Sequence, residues 1–205
     1  IINYITRRAD TGTINQEASV SLTSDDDFDS DGQGHKVDYS ISGQKGDWDY
    51  LGAISQQKRG VFYDGNDQLV GIAYPGELQN STSYDVMGRV GYWIDDNQNV
   101  ELMLNHFELE GEGDYVPVPG NRDEGIPTRA RPGDPVGDPG FNKVTTASFS
   151  YSHADWFGNK ADVQVYGQQF RAQFATTPFF PYVDSAGNSQ LDQTRNESDK
   201  VGAKF

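Results

Sequence analysis

An acidic segment near the amino terminus holds the first residues that could do chemistry. Carboxylates stand at nearly every position of Asp25–Asp31, and Asp38 is twelfth when Asp27 is counted as first. This spacing resembles an EF-hand calcium loop, in which alternate carboxylates surround a hard cation. The pattern departs from an EF-hand at Gly34, where an apolar residue is usual, and its flanks have the alternation of strands. We therefore expect an acidic, solvated hairpin loop, with weak calcium binding as the alternative.

A second candidate is the proline- and glycine-rich segment Glu110–Gly140, which carries Arg122, Arg129 and Arg131 in an otherwise acidic chain. Guanidinium forks bind carboxylate and hydroxamate-type oxygens in pairs, so the segment could form the mouth of a site for an anionic ligand. The alternative is that these arginines pair with acidic neighbours. The neighbours in sequence are Asp123, Glu124 and Asp134.

Aromatic residues in Thr177–Tyr182 form a third candidate, because exposed aromatic clusters often mark contact surfaces. A plug that packs the loop internally would use the same residues. Enzyme motifs are missing: His35, His106 and His153 lack metal-ligand spacing, and no nucleophile-elbow, zincin or phosphate-loop motif occurs. We expect a protein that is not an enzyme, with no catalytic residue, no metal ligand set and no cofactor.

The composition narrows the classes further. The 205 residues include 16 Lys and Arg against 31 Asp and Glu, which gives a net charge of −15. This acidity argues against nucleic acid as a partner, because such binders need a basic face to displace counterions. Only 35% of the residues are hydrophobic and there is no Cys, so neither a thick apolar core nor a disulfide framework is expected.

Alternation of apolar and polar residues, the mark of a half-buried strand, recurs along the whole chain. In the clearest case Val86, Val90 and Tyr92 lie on one face, with Asp85 and Arg89 on the other. Similar rows predict eight strands in an all-β protein. The other rows centre on Val20, Tyr39, Tyr50, Leu102, Phe149, Val163 and Val201.

The connections between the predicted strands alternate strictly between long and short. The long ones are 24–34, 58–81, 110–140 and 172–195, and the short ones are 42–46, 95–99 and 155–160. Antiparallel transmembrane β-barrels have this pattern, because their strands cross the bilayer between short periplasmic turns and long outer loops. On this interpretation Val86, Val90 and Tyr92 face lipid, whereas Asp85 and Arg89 face the lumen.

Aromatic residues gather beside the short connections, where an interfacial aromatic girdle would lie. Ordinary aromatic packing in a β core is the alternative. The residues are Trp48, Tyr50, Tyr92, Trp93, Trp156 and Phe157.

Several segments, in order, resemble TonB-dependent outer-membrane siderophore receptors. Ile1–Arg8 is similar to the end of the plug domain, without the two glycines that precede it in the family, and Ser42–Gly43 resembles the family's first turn. Gly60–Asp64 resembles the second loop, and Ser198–Lys204 the strand after the fourth loop. The resemblance covers essentially the whole chain.

This resemblance implies a plugged barrel of about 22 strands that takes up ferric siderophores across the outer membrane of a Gram-negative bacterium, with energy supplied through TonB. Residues 1–14 would be the end of the plug and a linker, and residues 15–205 the amino-terminal portion of the barrel, with about eight strands. TonB would act through the plug region that precedes this sequence. Outer-membrane lipid would surround the strands.

Within the family, the chain looks most similar to ferric hydroxamate receptors of the aerobactin type. Ferric aerobactin is anionic, so the resemblance implies a role for the arginines of Glu110–Gly140 and for aromatic residues as apolar walls. The implied ligand-binding residues are Tyr115, Arg122, Arg129, Arg131, Phe179, Phe180 and Tyr182.

Two other functions fit parts of the sequence. The first is a complete eight-stranded outer-membrane barrel with a structural or adhesion role, which the strand count and the terminal Phe205 favour. The second is a secreted carbohydrate-active β-sandwich, which would place Trp48, Trp93 and Trp156 in a sugar groove.

Overall fold

The computed structural model describes residues 14–72, 79–174, 182–183, 185–190 and 193–205. Eight strands form one sheet, and two short hairpins lie in the loops. The sheet strands are β1 (Ile14–Thr23), β2 (Gly34–Lys45), β3 (Trp48–Arg59), β4 (Ser81–Asp95), β5 (Gln98–Gly111), β8 (Phe141–Trp156), β9 (Asn159–Gln173) and β12 (Arg195–Lys204). The hairpin strands are β6 (Tyr115–Val118), β7 (Arg129–Pro132), β10 (Tyr182–Val183) and β11 (Ser189–Gln190).

The large sheet follows chain order, β1-β2-β3-β4-β5-β8-β9-β12, and every neighbouring pair is antiparallel. All the long connections therefore lie at one end of the strands, and all the short turns lie at the other end. The first to fourth loops are residues 24–33, 60–80, 112–140 and 174–194, and the turns are residues 46–47, 96–97 and 157–158. The predicted fold class, an all-β antiparallel sheet with segregated loops consistent with a barrel segment, is confirmed.

The first turn lies further along the chain than the sequence predicted. Ser42 and Gly43 belong to β2, and the strand continues to Lys45. Gly43 pairs with Tyr50 on β3. A methyl group at position 43 would lie 2.5 Å from Tyr50 Oη, so Gly43 serves the close approach of a tyrosine across the strands rather than a turn.

The two faces of the sheet have opposite character, and the apolar one is exposed. On the apolar face Val86 is 51% exposed, Leu102 59% and Phe149 47%. On the polar face Arg89 is only 2% exposed, and its Nη2 donates to Asp49 Oδ1 at 2.9 Å. A water-soluble sheet would bury the apolar face and expose the polar one.

Few apolar side chains are buried among the described residues, and most of them belong to the long loops themselves. They are Val61, Ile72, Ala130 and Ala172. No helix in the described part of the chain is long and apolar enough to span a membrane.

The apolar residues cross the sheet diagonally. The paired row that begins with Ala18, Tyr39 and Ile54 is apolar on the early strands. The same row continues through His106 and ends at Asp199, so it becomes polar. On the later strands the apolar residues lie nearer the short turns. They are Leu102, Phe149, Val165 and Ala203, which share one paired row.

The described strands do not close on themselves. β1 and β12 occupy the two edges of the sheet and do not pair with each other. No second large sheet packs on the first within the described ranges. A sandwich has two packed sheets and a complete barrel has closed edges, and the described strands form neither arrangement by themselves.

Aromatic residues lie at the end of the sheet where the short turns are, as the girdle interpretation predicts. The Trp48 and Tyr92 rings are 4.7 Å apart, and the Trp156 and Phe157 rings 6.3 Å. Trp93 differs from the others, because it pairs with the buried Asn99 and lies on the polar face.

Candidate functional site

Three long loops meet at the carboxylate of Asp31, in the first loop. The Tyr63 hydroxyl, from the second loop, lies 2.9 Å from both Asp31 Oδ1 and Oδ2. The Tyr115 hydroxyl, from β6 of the third loop, donates to Asp31 Oδ2 at 2.8 Å. We call these three side chains the Asp31 clasp. They tie together segments that are far apart in the sequence.

The charge state of the clasp follows from these contacts. Burial alone would raise the pKa of Asp31, but hydrogen bonds from Tyr115 and Tyr63 outweigh it and hold the pKa below its usual value. Burial and the bond to Asp31 raise the pKa of Tyr115 to about 12, and the same causes raise the pKa of Tyr63. Both tyrosines are therefore protonated donors to an ionised carboxylate at neutral pH.

The second and third loops share a further link, an ion pair between Arg129 Nη1 and Asp64 Oδ2. Asp64 also accepts hydrogen bonds from the backbone nitrogens of Asn66 at 2.9 Å and Gln68 at 3.2 Å. The hydrogen bond from Arg129 is the largest cause that lowers the pKa of Asp64. Backbone pairing between Val70 and Arg129 reinforces the contact.

Gln79 closes the second loop from within. Its Oε1 accepts from the Phe62 nitrogen at 2.8 Å, and its Nε2 donates to the carbonyl of Gly71 at 3.0 Å. The first loop adds a backbone bond from Val61 N to Asp31 O at 2.8 Å. These hydrogen bonds and the ion pair connect the first three loops into one polar layer, at the end of the strands where the long loops lie.

The sequence-predicted site residues of the third loop do not form one cluster. In the β6–β7 hairpin Val118 pairs with Arg129, Val116 with Arg131 and Tyr115 with Pro132. Because side chains alternate between faces, Arg129 and Arg131 share one face and Tyr115 lies on the other. Tyr115 belongs to the Asp31 clasp, and Arg129 is committed to Asp64.

The remaining predicted residues have separate surroundings. Arg122 is exposed in the turn that connects β6 and β7. Arg131 is also exposed, and its Nη1 reaches its neighbour's carbonyl, Pro132 O, at 3.4 Å. Phe179 and Phe180 lie outside the described residues, and Tyr182 is described only as a backbone position of β10 opposite Gln190. A role for these seven residues in binding stays a prediction.

The acidic segment does not assemble the ligand order of an EF-hand. Asp38 is a β2 residue that pairs with Lys36 Nζ at 2.8 Å, and Asp31 is engaged in the clasp. The carboxylates that the structure brings together are instead Asp26, Asp27 and Asp67, within 4.8 Å of one another and exposed. Their mutual repulsion, chiefly from Asp27, raises the pKa of Asp67.

Sequence reasoning missed Arg59, the last residue of β3. Its side chain lies on the polar face, beneath the first and second loops, and lines two cavities of about 680 and 440 Å³. A single arginine at a strand end gives no motif, and only the folded chain shows that Arg59 has no acidic partner among the described residues.

Comparison with known proteins places these features in context. No protein-family model matches the sequence. The chain is similar to the rhizobactin receptor of Rhizobium meliloti (strain 1021), with 30% identity over a 125-residue alignment that covers 56% of this chain. That match spans 16% of the receptor's length. No solved structure matches. The similarity loosely supports a siderophore-receptor-like origin.

Proposed function

We propose that this chain forms part of the barrel wall of an outer-membrane receptor that takes up ferric siderophores in a TonB-dependent manner. The observation that carries the proposal is the inverted polarity of the sheet, which exposes its apolar face and buries polar residues such as Arg89. Lipid around the barrel would cover the apolar face, and the polar face would line the lumen. The similarity to the rhizobactin receptor supports the choice of ligand class.

The diagonal course of the apolar residues supports a tilted barrel strand. Barrel strands tilt by about 35–45° from the barrel axis, whereas hydrogen-bonded rows run perpendicular to the strands. A membrane plane must therefore cut across successive rows. The apolar residues do shift between paired rows, from that of Ala18 on β1 to that of Val165 on β9.

The domain organisation is part of the proposal. Residues 1–14 would end a plug domain, and residues 15–205 would begin the barrel. The free edges of β1 and β12 would pair with strands of the same receptor, because eight strands cannot enclose a lumen wide enough for a plug. Outer-membrane lipid, a plug coupled to TonB and a ferric siderophore would be the partners.

The mechanism we propose is capture and transport, without covalent chemistry. The connected layer of the first three loops would present a preformed surface to the ferric chelate. Arg122 and Arg131 are exposed and could bind anionic oxygens there, whereas Arg129 mainly holds the second loop through Asp64. The plug would then shift under force from TonB and release the chelate into the periplasm.

Fractionation of iron-replete and iron-starved cells tests this proposal. An antibody to this chain should detect a protein clearly larger than 22.7 kDa in the outer membrane, and its amount should rise on iron starvation. Deletion of the gene should abolish uptake of radiolabelled iron from at least one hydroxamate siderophore. Recovery in the soluble fraction, or full uptake after deletion, would contradict the proposal.

A further inference from the structure

A cleft of about 510 Å³ lies beside the third short turn, residues 157–158. Its size is within the usual range of small-ligand sites, about 300–1,000 Å³. Two of its lining residues, Tyr151 and His153, share the apolar face of the sheet with Phe149, because alternate residues of a strand point to one face. The cleft therefore lies where the apolar face ends at the turn. The lining residues are Gln98, Tyr151, His153, Asp155, Trp156 and Phe157.

A chain of aromatic rings forms the wall of the cleft. The ring centres of Tyr151 and His153 are 6.5 Å apart, those of His153 and Trp156 5.8 Å, and those of Trp156 and Phe157 6.3 Å. Successive rings are tilted by 69°, 60° and 54°, so they do not cover each other's faces. Trp156 is 48% exposed, and an open tryptophan face attracts a cation.

Phe157 occupies an unfavourable backbone position in this turn. Its φ is 51°, in the left-handed region, where a bulky side chain is an outlier and two-residue turns prefer Asn, Asp or Gly. The first short turn instead has Gly46 at a φ of 59°. Phe157 thus combines backbone strain with a ring that is 92% exposed, and neither feature stabilises the chain by itself. A molecule that covers the ring would account for both features.

Two polar groups of the cleft are accessible and able to bind a ligand. His153 Nδ1 accepts a hydrogen bond from the Asp155 backbone nitrogen at 3.1 Å. A ring nitrogen that accepts carries no proton, so the neutral imidazole holds its proton on Nε2, which is a donor with no partner among the described residues. Asp155 Oδ1 accepts from the Gly158 nitrogen at 2.9 Å, which leaves Oδ2 for another donor.

The charges around the cleft favour a cationic group over an anionic one. Asp95 Oδ2 accepts from Gln98 Nε2, a lining residue, at 2.5 Å, and Asp96 follows in the second short turn. Asp155 adds a third carboxylate. No lysine or arginine of the described ranges lines the cleft. A lipid with a net negative charge would meet repulsion here, whereas an ammonium group is attracted by the carboxylates and by the rings.

We propose that this cleft binds the headgroup of a phospholipid that carries a primary ammonium and a phosphate, that is, a phosphoethanolamine headgroup. The ammonium would lie against the Trp156 and Phe157 rings and donate to Asp155 Oδ2. The phosphate would accept from His153 Nε2. The inference rests on the proposed function, because lipid around the barrel is the source of the headgroup. It adds a selection between lipids, which a general aromatic girdle does not make.

Native mass spectrometry of the full-length protein in detergent tests the inference. The protein receives equal amounts of phosphatidylethanolamine and phosphatidylglycerol with the same acyl chains, and the two singly bound species are compared. We expect a preference for phosphatidylethanolamine of about threefold, the effect of one exposed cation–π contact. Trp156→Leu should remove this preference. His153→Leu should weaken the binding of both lipids alike, because both carry the phosphate.

Trp48→Leu is the matched control. Trp48 lies beside the first short turn, packs on Tyr92 and is 53% exposed, close to the exposure of Trp156. Its variant should keep the wild-type preference. Phe157→Asn is a variant that keeps the turn, because Asn tolerates the left-handed region. It should raise the midpoint of thermal unfolding in detergent without lipid, and it should lower the preference for phosphatidylethanolamine.

Equal binding of the two lipids by the wild type, or equal losses of preference in Trp48→Leu and Trp156→Leu, would overturn the inference. These results would leave the proposed receptor function intact if the protein still lies in the outer membrane and supports iron uptake. Conversely, a Trp156-dependent preference for phosphatidylethanolamine in a protein whose deletion leaves iron uptake unchanged would contradict only the proposed function.

Discussion

The Tyr115 hydroxyl donates a hydrogen bond to Asp31 Oδ2 at 2.8 Å across a separation of 84 residues. Tyr63 donates to the same carboxylate from the second loop. One half-buried acid therefore connects three loops that would otherwise project separately from the sheet. A preformed loop layer reduces the ordering entropy that ligand capture would otherwise cost.

The first prediction concerns this clasp. Tyr115→Phe should destabilise the loop layer by about 1 kcal/mol, because it removes a hydrogen bond to a carboxylate but keeps the ring. Faster hydrogen exchange of the Val61 amide, which donates to Asp31 O, measures the effect. Tyr84→Phe is the control, since Tyr84 lies on the exposed apolar face. Unchanged exchange in Tyr115→Phe would show that the clasp does not hold the loops.

The second prediction concerns pH. The folded pKa of Asp31 lies below its unfolded value of about 3.9, so its stabilising effect is complete above that value and is lost as pH falls through the folded pKa. Loop protection should persist through neutral pH and fall only below about pH 4. At the alkaline end, the clasp should weaken as pH approaches the Tyr115 pKa of about 12.

Hydrogen exchange or proteolysis across this pH range measures the loop layer directly. In Asp31→Asn the loss of loop protection below about pH 4 should be smaller, because the asparagine side chain does not titrate. An identical loss of protection at low pH in Asp31→Asn would show that other carboxylates cause it.

The third prediction concerns the buried ion cluster on the polar face. Arg89 donates to Asp49 at 2.9 Å and to Glu101 at 3.3 Å. Arg89→Leu leaves two acids without a counter-charge and should lower the free energy of unfolding by about 3–5 kcal/mol. Urea unfolding followed by tryptophan fluorescence measures this change. Lys160→Leu, at an exposed ion pair, should change it by less than about 1 kcal/mol.

The fourth prediction uses two glycines of the second loop. A methyl group at Gly60 would overlap the backbone at Asp31, Gly32 and Gln33, whereas one at Gly65 would meet nothing within 4 Å. Gly60→Ala should therefore separate the first and second loops and increase protease cleavage within residues 24–33. Gly65→Ala should be cleaved like the wild type. Equal cleavage of the two variants would contradict the close packing of these loops.

Much of the fold could be predicted because strand alternation is a local signal. The eight-stranded antiparallel sheet was predicted from the row with Val86 and Val90 and from the contrast between short and long connections. The predicted position of the first turn was wrong. Gly43 suggested a turn, but its small size serves the contact with Tyr50 on the neighbouring strand, which no local pattern shows.

The candidate site was less predictable, because it depends on contacts between distant loops. The arginines of the third loop appeared equivalent in the sequence, yet Arg129 pairs with Asp64 whereas Arg122 and Arg131 are exposed. Tyr115 was predicted as an apolar wall, and the structure instead gives its hydroxyl a bond to Asp31. No sequence pattern pointed to Arg59, because its distinguishing feature is that it has no acidic partner among the described residues.

The central claim is that the apolar face of the sheet meets lipid and the polar face meets the lumen. The chain contains no Cys, so single cysteines at Leu102 and Met103, neighbours on opposite faces, can each carry a spin label. In the full-length protein in bilayers, the label at position 102 should be relaxed strongly by oxygen and weakly by a water-soluble nickel chelate. The label at position 103 should show much lower access to oxygen. Equal, high access of both labels to the nickel chelate would contradict the claim.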